Sequence, residues 1–368
     1  MMSRVEAVVF FACLLQMAAG YQQVFAGSGT ADSAGQSKTE LLPFVSYDSD
    51  AGMGYGMKLF ALNHLQMSES FDVILFNSTK GERWYRLVYS IPDFEVRQGT
   101  RYPWAFDLVI DYDKWIAYDF FGIGNEASVD AQETYTREPI EVSLTLSRGF
   151  TDHIVGQLGV KYRTVRNEGF SRQSTLVKLP PELNASTATA GSLVATVRYD
   201  TRNSFVNPSS GIVAQGETEV VPHTGLSNVS FTRLAAWFQN YSEPFPWKIT
   251  VASRLGLQGL IGEDIPVQFL LPIGGNRTLR GYSQDRFLDR MSAVGNLEVR
   301  FPVVWRIGGV AGVDAGKVWH TLDQLDLARW AVNPVVGLRL CMDTFIARMD
   351  LGFGKETTGL YLNFGQLF

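Results

Sequence analysis

The chain has 368 residues and a net charge of −5, so it lacks the basic excess that would indicate nucleic-acid binding. With 12% aromatic residues, 35 glycines and 14 prolines, its composition excludes a disordered or collagen-like chain. The length fits one large β-domain or two ordinary domains.

The first 26 residues have the features of a secretory signal peptide. Arg4 precedes an apolar segment over residues 7–15, which is too short to cross a bilayer as a helix. Small residues would permit cleavage after Gly20 or after Ala26. We therefore predict that residues 1–26 are a signal peptide and that the protein is exported.

The rest of the chain contains one cysteine, Cys341, which excludes an intrachain disulfide and a cysteine-based metal cluster. No later apolar run reaches the about 18 residues that a membrane helix needs. Residues 27–40 are rich in Gly, Ser, Ala and Thr and are predicted to form a flexible leader. Alternating apolar and polar residues begin at Leu41, so residues 41–368 are predicted to form the folded domain.

The alternation has a period of two, which is typical of β-strands. For example, Leu158 and Val160 alternate with Lys161 and Arg163. This pattern fits both a soluble sandwich and a membrane barrel. Strand lengths near ten residues, aromatic residues at strand ends, and a chain that ends on a strand favour the barrel. We predict an all-β fold, a transmembrane antiparallel β-barrel of about 16 strands, in which long and short connections alternate.

Two connections have compositions that predict their structure. Residues 271–290 form a long connection with several large apolar side chains and four arginines, whereas loop tips favour small polar residues. We therefore expect this connection to fold against another part of the protein. A second connection, residues 200–211, combines Asp, Asn, Pro and Gly, which are the residues of a well-made turn.

The residue pattern does not indicate an enzyme. The four histidines, His64, His153, His223 and His320, are not in metal-ligand spacing, and no nucleophile-elbow motif is present. A barrel-embedded hydrolase would need a paired serine and histidine. We predict no catalytic residue, no metal site and no cofactor.

Several segments, taken in order, resemble one family. They are Asp200 to Gly211, Leu279 to Tyr282, Asn296 to Pro302, Gly312 to Trp319, Val336 to Arg339 and Asn363 to Phe368. Together they resemble the bacterial surface antigen superfamily, the barrels of outer-membrane protein assembly factors (BamA and TamA type) and of two-partner secretion transporters. The resemblance covers nearly all of residues 41–368.

The resemblance implies that the long loop folds back into the lumen of the barrel. Its tip would be the Arg-Gly-aromatic sequence Arg280, Gly281 and Tyr282. By alternation Glu298 and Asp314 point inward, so the implied arrangement is a charge-assisted cluster around Arg280. We predict that this cluster holds the loop in place and has no catalytic role.

The resemblance also assigns the second connection and the end of the chain. The family's periplasmic turn corresponds to Asp200, Arg202, Pro208 and Gly211. Phe364 and Phe368 are predicted on one lipid-facing side of the last strand, as the signal that the cell's barrel-insertion machinery recognises.

The implied function is that of a bacterial outer-membrane barrel that assists protein or lipid insertion or translocation. Its implied partners are outer-membrane lipid and the insertion machinery during biogenesis, with no nucleic acid; the client and the oligomeric state stay open. The leader over residues 27–40 is too short for a POTRA domain, which indicates a branch without them. The alternative function is a passive outer-membrane channel or a structural surface antigen.

Overall fold

The structure is a computed structural model that describes residues 37–180, 183, 186–324, 328–342 and 345–368. The predicted signal peptide and residues 27–36 of the predicted leader lie outside the described residues. The strands are β1 (Lys38–Asp48), β2 (Gly52–Leu62), β3 (Ser70–Ser78), β4 (Glu82–Ile91), β5 (Tyr102–Phe120), β6 (Glu133–Gly149), β7 (Ile154–Glu168), β8 (Thr187–Asp200), β9 (Gly211–Val221), β10 (Phe231–Phe245), β11 (Ile249–Ile261), β12 (Leu271–Ile273), β13 (Phe287–Asp289), β14 (Met291–Val304), β15 (Ile307–Trp319), β16 (Ala331–Cys341), β17 (Ile346–Phe353) and β18 (Thr358–Phe364).

Sixteen of these strands form one closed antiparallel barrel within the described part of the chain. Strands β1 to β11 follow each other in sequence order, β14 joins β11, and β18 returns to β1. Strands β12 and β13 form a separate two-stranded sheet inside the long connection between β11 and β14. The predicted fold class and strand number are therefore confirmed. The first strand begins at Lys38, so the predicted boundary at Leu41 is three residues late.

The exposed surface of the barrel is apolar, which is the reverse of a soluble sandwich. On β7 and β8, Leu158 is 68% exposed, Leu193 60% and Val197 61%. The side chains between them, such as Lys161 and Ser192, point to the opposite face and are largely buried. An apolar outer surface with polar residues inside is the arrangement of a membrane barrel. The alternating residues of the sequence therefore lie on the two faces of the barrel wall, with apolar side chains outside and polar side chains inside.

The two edges of the barrel differ in the length of their connections. One edge carries the long connections, residues 121–132, 169–186, 262–290 and 320–330. The opposite edge carries short turns such as residues 246–248 and 305–306, and its longest connections, residues 92–101 and 201–210, have ten residues each. The exposed aromatic residues Trp247 and Trp305 lie in these short turns, as expected at a membrane interface.

In the part of the chain that the structure describes, helical structure is limited to two single-turn helices, α1 (Phe94–Arg97) and α2 (Thr175–Lys178), and short 3-10 turns. Among the described residues, no helix combines the length and the apolar character that crossing a membrane would require.

The buried apolar residues are organised around the connection between β11 and β14. Its Ile273, Leu279 and Phe287 pack with Val294 of β14 and Val318 of β15. A second cluster joins residues 265–271 of the connection to β5, β6 and strands β8 to β11. The expectation that this connection folds against another part of the protein agrees with these contacts.

Candidate functional site

Arg280 lies at the centre of a buried group of ion pairs. Its guanidinium donates two bonds of 2.8 Å to Asp314, from Nε to Oδ2 and from Nη2 to Oδ1. Its Nη1 donates to Glu298 Oε1 at 2.7 Å and to Asp350 Oδ2 at 3.0 Å. All four side chains are completely buried. The structure thus brings together the three residues that the sequence analysis selected and adds Asp350.

The strands position the carboxylates by register and alternation. In the β14–β15 ladder, Asn296 is opposite Asp314, and Glu298 is opposite Gly312. The adjacent residue Leu297 points to the exposed face of the barrel, where it is 47% exposed. Asn296 Nδ2 of β14 also donates to Asp314 Oδ1 at 2.7 Å, so this carboxylate is held by β14 as well as by Arg280.

Three further arginines surround the carboxylates. Arg300 Nε donates to Glu298 Oε2 at 2.9 Å. Arg339 Nη1 donates to Asp350 Oδ1 at 2.5 Å, and Arg348 Nη1 lies 3.4 Å from Asp350 Oδ2. We call the following residues the Arg280 cluster: Arg280, Arg300, Arg339, Arg348, Glu298, Asp314 and Asp350. With four arginines and three carboxylates, each carboxylate contacts at least one arginine.

The backbone next to Arg280 is held as tightly as its side chain. The Arg280 amide donates to Asp314 Oδ2 at 3.0 Å, and the Gly281 amide donates to the hydroxyl of Tyr361 at 3.0 Å. That hydroxyl donates to the Tyr282 carbonyl at 3.3 Å. A Cβ on Gly352 would lie 2.2 Å from the Arg280 carbonyl oxygen, so the close approach requires glycine there. Gly281 itself has a φ of 102°, which also favours glycine.

The same connection contacts the turn after β1. Asn276 Nδ2 donates to Asp48 Oδ2, and the Gln284 amide donates to Asp50 Oδ2 at 2.9 Å. Asp50 lies in the turn between β1 and β2, where burial and then the neighbouring Asp48 charge raise its pKa to about 7. The connection therefore bonds to β18 through Tyr361 and to the end of β1 through Asp48.

The predicted turn residues form a closed local structure between β8 and β9. Arg202 donates to both carboxylate oxygens of Asp200, with Nε at 3.0 Å and Nη2 at 2.7 Å. Gly211 has a φ of 106°, and a Cβ there would lie 2.3 Å from the Thr201 carbonyl oxygen. Pro208 is buried in the turn. These contacts explain the residue types, while the periplasmic position of the turn stays a prediction.

The end of the chain differs from the sequence interpretation. Strand β18 stops at Phe364, which is 37% exposed on the outer surface. Gly365 then adopts a φ of 80° and turns the backbone, so the alternation does not continue to Phe368. Phe368 is buried, with Arg300 5.1 Å and Arg254 5.2 Å from its ring centre. The predicted shared lipid-facing side of Phe364 and Phe368 is therefore wrong; their role as an insertion signal stays a prediction.

The ladder that closes the barrel is much shorter than its neighbours. Strands β1 and β18 pair only at Tyr47 with Leu362 and at Asp48 with Tyr361. By contrast, β1 pairs with β2 along its whole length, from Lys38 to Asp48. Within the described residues, residues 39–46 have ladder partners on the β2 side but none on the β18 side. We call this short ladder the β1–β18 seam.

Sequence reasoning missed several members of the site. Arg348, Asp350 and Gly352 occupy every second position of β17, all buried, so the alternation rule applied to β14 would have selected this face. Tyr361 and the β1–β18 seam gave no comparable signal, because they depend on the register between the two ends of the chain. In the part of the chain that the structure describes, no group of three or more His, Cys, Asp or Glu residues could hold a metal ion.

A closed sixteen-stranded antiparallel barrel with an apolar outer surface defines an outer-membrane type of barrel. The Omp85 superfamily domain matches residues 68–358, and the chain belongs to this superfamily. The family resemblance found in the sequence is therefore confirmed. The described residues form the barrel and include no POTRA domain. A search of curated protein sequences found no match.

Solved structures show the same fold. BamA from Haemophilus ducreyi lacking POTRA domains 1–3 has a TM-score of 0.66 at 17% identity, covering 90% of this chain and 70% of that chain. CdiB from Acinetobacter baumannii has a TM-score of 0.58 at 13% identity, covering 89% of this chain and 59% of that one. CdiB from Escherichia coli has a TM-score of 0.61 at 11% identity, covering 88% and 62%. The chain thus spans less than two thirds of either CdiB chain.

Proposed function

We propose that the protein is a barrel of the bacterial outer membrane that assists the insertion of proteins or lipids into that membrane, or their passage across it. The superfamily and the likeness to BamA and CdiB support this role. The observation that carries it is the β1–β18 seam, with its two residue pairs. Outer-membrane lipid and the cell's barrel-insertion machinery are the proposed partners, and a non-enzymatic action is proposed.

The seam offers a physical route for a client strand. An unpaired strand edge presents a row of backbone donors and acceptors, which is a template for another strand. Residues 39–46 of β1 present such an edge toward β18, among the residues described. A client strand could add to this edge while only the two pairs at the other end of the seam separate. A fully paired barrel would need to break a whole ladder before it could open.

We also propose that the β11–β14 connection occupies the lumen and that the Arg280 cluster holds it there. The support is that the connection contacts the buried faces of strands far apart around the barrel, including Tyr118 of β5 and Asp350 of β17. A filled lumen favours the assisting role over the alternative of a passive channel. A planar-bilayer recording should accordingly show low conductance for the unmodified protein.

The seam can be tested by closing it with a disulfide. Tyr47→Cys and Leu362→Cys, in a Cys341→Ser background, place two thiols on residues that pair directly. Opposite residues of an antiparallel ladder are about 4.5–5.5 Å apart at Cα, within the range that a disulfide spans. The assay follows the folding of a urea-unfolded eight-stranded barrel protein into liposomes that contain the purified chain.

We expect the reduced protein to accelerate client folding, the oxidised protein not to, and reduction to restore the acceleration. The matched control is Leu59→Cys with Val73→Cys, a pair in the β2–β3 ladder far from the seam. Equal acceleration by the oxidised and reduced seam proteins would exclude the seam as the route. A reduced protein that fails to accelerate folding would contradict the insertion of protein clients.

A further inference from the structure

A cavity of about 320 Å³ lies between the wall formed by β5 to β11 and residues 267–272 of the β11–β14 connection. This volume is at the lower end of the range for small-molecule sites, about 300–1,000 Å³. It is separate from the Arg280 cluster and shares no residue with it. Six of its lining residues define its chemistry: Arg137, Lys161, Arg163, Arg233, Phe231 and Phe269.

Two of the four cations in the cavity are satisfied by carboxylates. Lys161 Nζ lies 2.7 Å from Glu219 Oε1, and Arg233 Nη1 lies 2.7 Å from Glu217 Oε1. Arg233 also donates to Gln258 Oε1 at 2.7 Å. These bonds lock the two side chains into the wall of the barrel, so they are not the groups that a ligand would need.

The other two cations have no short partner. Arg163 Nε is 3.8 Å from Glu141 Oε2, which is too long for a hydrogen bond. Arg137 has no ion pair or hydrogen bond with any described residue and lies 5.1 Å from the ring centre of Tyr118. A guanidinium carries five N–H donors, and both arginines are half-buried, with 32% of the Arg163 side chain exposed. Both arginines therefore present unused donors to the cavity.

The acidic residues that line the cavity are mostly engaged elsewhere. Asp285 accepts from the Tyr118 hydroxyl and from Gln284 Nε2, and Asp119 accepts from Thr134 Oγ1 at 3.1 Å. Glu219 is held by Lys161 and by Ser192 Oγ at 2.8 Å. Glu141 stays 3.8 Å from Arg163. Asp285 lies near enough to Arg137 to attract it electrostatically but forms no ion pair with it, and its oxygens are bonded to Tyr118 and Gln284.

Two further features select the body of a ligand. Phe231 and Phe269 lie with ring centres 5.3 Å apart and form an apolar side of the cavity. Gln268 is 5% exposed, and its side-chain carbonyl oxygen has no donor among the described residues. An orphaned buried acceptor of this kind is rare and suits a hydroxyl or amide donor on a bound molecule.

We infer that this cavity binds a small organic anion. Its phosphate or carboxylate group accepts from Arg137 and Arg163, and its apolar or ring-shaped body packs against Phe231 and Phe269. A donor on that body bonds the carbonyl oxygen of Gln268. Guanidinium groups match these anions well because two N–H groups can bond two oxygens at once.

The test is isothermal titration calorimetry on the purified full chain in detergent, with three probes. Phenyl phosphate carries both the charge and the ring, inorganic phosphate carries only the charge, and phenol carries only the ring. We expect one site for phenyl phosphate, with weaker binding of the other two. Equal affinity for phenol and phenyl phosphate in the unmodified protein would refute an anion site, whatever the variants do.

The variants Arg137→Gln and Arg163→Gln are each expected to weaken phenyl phosphate binding by about tenfold or more, because each removes a charge-assisted bond. The matched control is Arg86→Gln, whose arginine bonds Asp111 at 3.1 Å and does not line the cavity. Heat-modifiable migration on a gel checks that each barrel is folded. Unchanged affinity in both cavity variants would overturn the inference.

Discussion

Removal of the Arg280 side chain is the most direct perturbation of the site. Arg280→Ala deletes a buried guanidinium that contacts Glu298, Asp314 and Asp350. We expect the β11–β14 connection to detach from the barrel wall more readily, while the barrel itself stays folded. The sixteen barrel strands pair through their backbones, and none of those ladders requires Arg280.

The free-energy cost of Arg280→Ala depends on which partners the three carboxylates keep. Glu298 keeps Arg300 at 2.8 Å, and Asp350 keeps Arg339 at 2.5 Å. Asp314 loses its two bonds from the guanidinium and keeps one from Asn296 at 2.7 Å and one from the backbone amide of residue 280 at 3.0 Å, but it keeps no ion pair with a described residue. Breaking a buried pair costs about 3–5 kcal/mol when one charge is left unpaired. Because one carboxylate is stranded here, we expect the low end, about 3 kcal/mol, or on the order of a hundredfold in the docking equilibrium.

Limited proteolysis with chymotrypsin measures this shift, because Leu279 and Tyr282 are buried and flank the altered residue. The matched control is Arg277→Ala, which removes an exposed arginine from the same connection. The double variant Arg280→Ala with Asp314→Asn should cost less than the sum of the single changes, since the two residues interact. Additive costs, or rapid cleavage of the unmodified connection, would refute the proposed role of the cluster.

Three other changes have defined outcomes. Gly352→Ala introduces a Cβ 2.2 Å from the Arg280 carbonyl oxygen and should release the connection to chymotrypsin without changing any charge, whereas Gly216→Ala, in open space, should not. Because burial raises the pKa of Asp50 from 3.8 to about 7, the folded protein binds this proton more tightly than the unfolded chain does, so thermal stability should fall as pH rises from about 4 to 7. Asp50→Asn should weaken that dependence. Deletion of Phe368 should lower the amount of barrel assembled in outer membranes, measured by heat-modifiable migration; an unchanged amount would show that this residue is dispensable.

The barrel could be predicted from the sequence because the alternation of side chains along a strand depends only on neighbouring residues. Side chains at Leu158 and Val160 must share a face, and a barrel in lipid makes that face apolar. The same alternation selected Glu298 and Asp314, and the family resemblance supplied Arg280. The same alternation applied to β17 would have added Asp350, so this residue could also have been predicted from the sequence.

Two other features could not be predicted from the pattern of neighbouring residues. The short β1–β18 seam depends on the relative register of strands more than 300 residues apart, which no local pattern encodes. The end of the chain shows the opposite case, in which one residue overrides a pattern. Gly365 turns the backbone with a φ of 80°, so that Phe364 remains on the outer surface while Phe368 is buried beside Arg300.

The β11–β14 connection and the seam are linked, which leads to a final prediction. The connection bonds Asp48 through Asn276 and bonds Tyr361 through the Gly281 amide, and Asp48 and Tyr361 are themselves one of the two seam pairs. Releasing the connection should therefore loosen the seam.

In the Cys341→Ser background, oxidation of the Tyr47→Cys and Leu362→Cys pair should be slower and less complete when Arg280→Ala is also present. Oxidation of the Leu59→Cys and Val73→Cys pair should not change, because these two residues pair in the β2–β3 ladder and not in the seam. If both pairs respond equally, Arg280→Ala acts on the whole barrel. If neither responds, the seam is held by its own two pairs, and the connection has no part in keeping it closed.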